Sequence, residues 1–293
     1  MPGMKNGRGI SKEEAAQRNY FDILGRHLGH ICGISILYAL ANILFFGASI
    51  ILFIAYFGGD NLVTIATAFL SGKQVILPIA PFLPLMLTGP FTAGFTYVIR
   101  NYAKQEHAFL ISDFFEHSKK NWKQGLLTSI LSYLVLYLYL QAVIVYNSLF
   151  ISAGLPLGLL YTLLAVAGIL LVIMSFYIYP LMVTFRMKYK VILKNAWTFT
   201  ILKLPQNFLI FLLLAAIHGA LIYLIVAVFL MPELWLVLMA LFLTGFTSYT
   251  ANYYIWHIMD KYIVQLVTPK RDENRIFTDE EHTSDKENDY DNL

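Results

Sequence analysis

The sequence predicts an all-α, polytopic membrane protein with six transmembrane helices, paired as three helical hairpins, and a kinked second helix. Three observations carry this. The 293-residue chain is 58% hydrophobic and only 13% charged, with a mean hydropathy of +0.63, whereas soluble domains carry about 25% charged residues. Six apolar runs contain no Asp, Glu, Lys or Arg, and each is long enough to cross a hydrocarbon core about 30 Å thick. Twenty of the twenty-one Lys and Arg fall on alternate connections between those runs.

In chain order, residues 1–30 form a polar N-terminal segment. Ser11 and Glu14 make a capping-box pattern. Tyr20, Phe21, Leu24, Leu28 and Ile31 then recur at spacings of three and four. The pattern fits an amphipathic interfacial helix and equally an extension of the first span. No cleavable leader is expected, because the first apolar run is too long for one. The spans are expected at 31–57, 75–99, 126–150, 157–185, 208–230 and 234–257, within a membrane domain at 31–267. Gly58-Gly59-Asp60 ends the first, and residues 58–74 form the longest outer loop. Gly154-Leu155-Pro156 and Met231-Pro232-Glu233 read as tight turns. The last helix is expected to continue through Asp260, Lys261 and Ile263 to Leu266. Residues 268–293 are acidic and poor in apolar residues, so they are expected to remain disordered in the cytoplasm.

Lys and Arg set the orientation. Residues 1–30, the connections after the second and fourth spans, and the C-terminal segment hold five each, and the opposite side holds only Lys73. By the positive-inside rule both termini are expected in the cytoplasm. The second and third hairpins open on similar words, Asn121-Trp122-Lys123-Gln124-Gly125-Leu126-Leu127 and Lys203-Leu204-Pro205-Gln206-Asn207-Phe208-Leu209. Tandem duplication would explain them. Thin identity favours the simpler reading, that aromatic belts and positive-inside selection write similar words at every inner boundary.

Pro78, Pro81, Pro84 and Pro90 interrupt the second span. Each removes a backbone donor and clashes with the preceding turn. Residues 75–84 are therefore expected to be irregular, with Pro84 starting the regular helix and Pro90 kinking it. Thr88, Thr92 and Thr96 are placed to rebond freed carbonyls, and Gly89 and Gly94 to admit a neighbouring helix. Broken helices line substrate sites in transporters, which makes Pro84, Thr88, Gly89, Pro90, Thr92, Gly94, Thr96 and His218 a candidate cavity or kink. Asn42, Gln141, Asn147 and Asn252 are the other large polar groups at depth. No carboxylate lies within a span, which argues against ion-coupled transport. A structural role is the simpler reading of His218.

Catalytic and metal signals are weak. His27 and His30 lie near the single cysteine, Cys32, without a fourth ligand nearby. Glu106, His107, Asp113, Glu116 and His117 gather acids and imidazoles in one inner loop, but Lys119, Lys120 and Lys123 follow at once, as on a solvated helix face. No catalytic, cofactor or metal residues are assigned, and no enzyme or nucleic-acid role is expected. The basic loops suit anionic lipids at the cytoplasmic face, worth about 1 kcal/mol per Lys or Arg.

The words Gly89-Pro90-Phe91-Thr92-Ala93-Gly94 through Arg100-Asn101, then Asp113-Phe114-Phe115 and Lys119-Lys120-Asn121-Trp122-Lys123-Gln124-Gly125, resemble the YesL-like (DUF624) family of bacterial integral membrane proteins over residues 15–265. Family members are found mainly in Gram-positive bacteria, often beside genes for carbohydrate uptake and breakdown, and have no established activity. The resemblance implies an accessory or scaffold component of carbohydrate uptake, partnered by sugar-transport components. Arg100, Asn101, Asp113, Phe114, Asn121 and Trp122 form the candidate cytoplasmic partner loop. The alternative is a permease or channel for a small solute, with its site beside the broken second helix.

Overall fold

The computed structural model describes residues 19–58, 60, 62–73, 76–153, 158–229, 238 and 242–264. The capping box at Ser11, both tight turns, the start of the sixth span and the acidic tail lie outside them. Among the described residues the fold is entirely helical. The α-helices are α1 (Tyr20–Ala41), α2 (Ile43–Phe57), α3 (Leu62–Leu70), α4 (Gly89–Ala103), α5 (Leu110–Lys120), α6 (Trp122–Ala153), α7 (Gly158–Thr184), α8 (Tyr189–Leu202), α9 (Leu204–Phe229) and α10 (Thr244–Met259). Two compact units are present, 1–255 and 256–293. In the second, residues 256–259 finish α10 and Asp260–Val264 add a π-helical turn.

Among the described residues, four helices are long and apolar enough to cross a membrane: α1, α6, α7 and α9. A fifth candidate is the pair formed by residues Ala80–Leu87 and α4, bent by 50°. Along α6, Leu131, Leu134, Val135, Leu136 and Leu138 face outward. A belt of this kind is a liability in water and a match for lipid.

The helix boundaries correct several expectations. The first span is not one uninterrupted helix over 31–57. Helix α1 starts at Tyr20, where the Asn19 side chain accepts the Asp22 N–H at 3.1 Å. It runs on to Ala41, so the apolar periodicity before residue 31 belongs to the same helix. Asn42 then interrupts it: its Nδ2 donates to the Tyr38 carbonyl at 2.9 Å, a side-chain bond that competes with the backbone ladder. Gly58, in the left-handed region at φ 66°, ends α2. The loop at 58–74 contains α3, which packs against α6.

The second span also differs. Pro84 starts a 3-10 turn, Pro84–Leu87, and the regular helix begins only at Gly89. Pro90 sits beside a real bend: the span turns by 50° at Thr88, as a break between two helices and not as a kink within one. Pro90 occupies the first turn, where a missing N–H costs nothing. Freed backbone groups find partners on neighbouring helices. Ser129 of α6 donates to the Met86 carbonyl, which Pro90 cannot reach, and Ser49 of α2 donates to the Pro81 carbonyl. Gln141 Oε1 accepts the Leu77 N–H at 2.8 Å. Lipid offers no substitute for these bonds.

Helix α4 is the centre of the first unit. Eleven of its fifteen residues are buried, and it packs against α1, α5, α6 and α7. Phe95, Val98, Ile99 and Tyr102 of α4 join Ile31 and Ile34 of α1, Phe114 of α5 and Tyr249 of α10 in one core.

Candidate functional site

Helix α4 ends without glycine. Gln105 takes the left-handed conformation at φ 59°, and the N–H groups of Gln105 and Glu106 return to the carbonyls of Tyr102 and Asn101. This is a Schellman closure. Glu106 pairs with Lys104 at 2.7 Å. After the turn, the Asp113 carboxylate accepts the Phe109 N–H at 2.8 Å and fixes the start of α5. Asn121 alone separates α5 from α6, and its Nδ2 donates to the His117 carbonyl at 3.0 Å.

The corner closes through glycine. A Cβ on Gly89 would collide with the Gly125 carbonyl and Ser129 Oγ, and one on Gly125 would meet the Gly89 carbonyl oxygen at 2.7 Å. A Cβ on Gly94 would collide with the Phe114 carbonyl and Ser118 Oγ of α5. Small residues here let helix backbones touch.

Arg100 ties this corner to the end of α7. It is buried, 6% exposed, so its guanidinium has to find partners within the protein. Nη1 donates to the Val183 carbonyl and to Thr184 Oγ1, both at 3.0 Å. Nε and Nη2 donate to Asn101 Oδ1 at 3.2 and 2.6 Å. The cation lies 4.7 Å from the Tyr97 ring centroid, and Tyr97 stacks on His117. A cation against the last carbonyls of α7 also complements that helix's dipole. Burial holds the His117 pKa below the ordinary imidazole value, and the charge on Lys120 adds to the effect.

Against this clamp opens a cleft of about 600 Å³, within the range of about 300–1,000 Å³ usual for small-ligand sites. One wall is the α5–α6 junction, His117 and Lys119–Gln124. The other is Met182–Met187, and Gln124 Nε2 closes across to the Met187 carbonyl at 3.0 Å. Lys119, Lys120, Lys123 and Arg186 line the cleft with no carboxylate among the lining residues. Arrangements of this kind bind anions.

The expected partner-loop residues divide by role. Arg100, Asn101 and Phe114 are buried, Asp113 caps a helix, and Asn121 and Trp122 line the cleft. The expected cavity residues do not form one set by their contacts. Gly89 and Gly94 are packed against backbone, Pro84 and Pro90 open helical turns, and Thr96 bonds the Thr92 carbonyl. His218 Nδ1 donates to the Leu214 carbonyl at 2.8 Å, and Nε2 lies 3.2 Å from Thr247 Oγ1. Thr88 and Thr92 do share a cluster. Thr92 bonds the Thr88 carbonyl, Tyr38 bonds Thr92 at 3.0 Å, and Tyr133 and Tyr179 bear on Thr88 and Thr92. The acids and histidines of the inner loop have separate partners. Glu106 meets Lys104, His107 meets Phe109, Asp113 meets its own helix start and His117 meets Tyr97. Among the described residues, no group of three or more His, Cys, Asp or Glu could hold a metal.

The cleft was missed in sequence because Lys119, Lys120, Lys123 and Arg186 already had a role in topology. Only the fold brings Lys123 and Arg186 to facing walls of one cleft.

Long apolar helices around a buried central helix define an integral membrane protein. Residues 38–141 match the model of the family described as "Protein of unknown function, DUF624", which agrees with the resemblance read from Gly89–Gly125. The match is narrower than the 15–265 that the resemblance covered. No curated protein and no solved structure gives a significant match.

Proposed function

We propose that the chain is a six-span protein of the bacterial plasma membrane with both termini in the cytoplasm, acting as a non-enzymatic accessory or scaffold component of carbohydrate uptake. The observation that carries the scaffold reading is the α4–α5–α6 corner, which is buried and clamped on its inner side and exposed on its outer side. Phe109, Ile111, Phe115 and Trp122 stand out from it and are the docking residues of this reading. Affinity purification from the native membrane is expected to recover a sugar-transport component, and Phe115→Ala with Ile111→Ser to lose it. Failure to recover any such component, with unchanged uptake of every tested sugar on deletion, would overturn the reading. Topology is tested separately on a Cys32→Ser background. Lys73→Cys is expected to react with an impermeant maleimide in intact cells, and Lys119→Cys only after permeabilisation.

A permease is the second reading. The hydroxyl cluster of Thr88, Thr92, Tyr38, Tyr133 and Tyr179 beside the 50° break favours it. It requires purified protein in liposomes to admit a small solute, and Thr92→Val to slow that flux.

A further inference from the structure

We propose that the cleft between the α5–α6 junction and the end of α7 is a phosphate-binding site, occupied by the headgroup of an anionic phospholipid. The inference rests on the orientation proposed above, because it is that orientation which sets the cleft in the cytoplasmic leaflet.

Five features converge. The cleft is open and of ligand size. Lys119, Lys120 and Lys123 arrive from one side and Arg186 from the other, so an anion between the walls meets cations from both. The lining offers no carboxylate to neutralise them; Glu116 and Asp113 act on the lining residue His117 from outside the lining, and Glu106 is paired with Lys104. The walls are held in place without help from a ligand. Arg100 fixes Val183 and Thr184, and Gln124 fixes Met187. The lining cations are exposed and remain available.

Trp122 points to lipid rather than to a soluble phosphoester. It begins α6, the longest described apolar helix, is 49% exposed, and lies with Lys123 Nζ 5.6 Å from its ring centroid. Indole rings favour the headgroup level of a bilayer. A headgroup phosphate in the cleft would leave its acyl chains beside the outward apolar face of α6.

The test is native mass spectrometry of the full-length protein, released from detergent with a defined mixture of phosphatidylglycerol and phosphatidylcholine. The cleft variant is K119Q/K123Q/R186Q. The control, K188Q/K190Q/K194Q, removes the same charge from exposed residues outside the cleft lining. All six side chains are exposed, and both variants are required to remain monodisperse. Wild type and control are expected to retain phosphatidylglycerol, and the cleft variant to bind it about tenfold more weakly, as loss of several interfacial cations implies. Equal loss in both variants, or no loss in the cleft variant, would overturn the proposal. Displacement by millimolar glycerol phosphate would keep the phosphate chemistry and overturn the lipid as its source. Retention is read in detergent, so it does not depend on sidedness or on an uptake partner, and its failure is distinct from failure of the scaffold reading.

Discussion

Two corners of the molecule are built on the same plan and closed by different chemistry. In the first, α4 is followed by the short α5, one intervening residue (Asn121) and the long α6. In the second, α7 is followed by the short α8, one intervening residue (Lys203) and the long α9. Four residues after each break the backbone N–H returns to the break residue, from Gly125 to Asn121 and from Asn207 to Lys203, both at 2.8 Å. Four residues before each break an aromatic ring stacks on a tyrosine of the preceding long helix, His117 on Tyr97 and Phe199 on Tyr177.

The difference lies at the equivalent positions. Gly125 closes its corner by having no side chain, so that α6 touches α4 at Gly89. Asn207 closes its corner with a side chain. Its Nδ2 donates to the carbonyls of Phe199 and Thr200 at 2.9 and 3.0 Å, and its Oδ1 accepts the hydroxyls of Tyr177 at 2.6 Å and Tyr254 at 3.1 Å. One junction is made by backbone contact, the other by a saturated polar network. Contact by glycine tolerates no added atom, whereas a network tolerates volume changes and fails when a bond is removed.

Reciprocal exchange should break each corner in its own way. Gly125→Asn has the largest expected effect, because its Cβ meets fixed backbone on α4 and neither helix can yield locally. Overpacking of this kind costs about 3 kcal/mol or more, so little monodisperse protein is expected after extraction. Asn207→Gly leaves the buried Tyr177 hydroxyl and the half-buried Tyr254 hydroxyl without their shared acceptor. A loss of about 2 kcal/mol is expected, read as a lower midpoint in a heating series followed by size exclusion. If Asn207→Gly proved harder on the fold than Gly125→Asn, the contrast between contact and network would be wrong.

Arg100 gives the first corner a link for which the second corner shows no counterpart among the described residues, and it comes next in size. Arg100→Lys keeps the charge but cannot reach Asn101, Val183 and Thr184 together, since an ammonium lacks the planar fork. A loss of about 1–2 kcal/mol is expected, together with faster proteolysis at Arg186. Unchanged stability would mean that α7 is held at this end by packing alone.

The sequence made the helical class legible, because charge-free runs and one-sided basic residues constrain any chain that meets lipid. The repeated words before α6 and α9 were also visible, yet thin identity favoured the simpler reading. Their shared helical plan shows why identity is thin: Gly125 and Asn207 serve one position through opposite chemistries. The bend expected near Pro90 is present, but as a break between two helices at Thr88. A proline inside an apolar run reads as a kink until the start of the helix is known, and that start depends on Gly89 meeting Gly125 across the fold. The end of α4 was not legible either, since Gln105 takes the conformation usually reserved for glycine. The cleft depended on Arg186 and Lys120 sharing a cavity, which no local pattern encodes.

The smallest expected effect is a pH dependence confined to the first corner. His117 is titratable and its counterpart Phe199 is not. Burial against Tyr97 depresses the His117 pKa, Lys120 and Arg100 depress it further, and Glu116 and Asp113 oppose them. A histidine with a depressed pKa binds fewer protons when folded than when unfolded, so stability rises with pH across the interval between the two values. The contribution is fully present above the unfolded value of about 6.5 and is lost as pH falls through the folded one. Heating series at pH 7.5 and 5.5 are therefore expected to show a lower midpoint at the acid end, and His117→Phe to flatten that difference by giving the first corner the ring of the second. Carboxylates shared by both proteins cancel in the comparison. An equal acid response in His117→Phe would place the titrating group elsewhere and reduce the His117–Tyr97 stack to a packing contact, as the Phe199–Tyr177 stack already is.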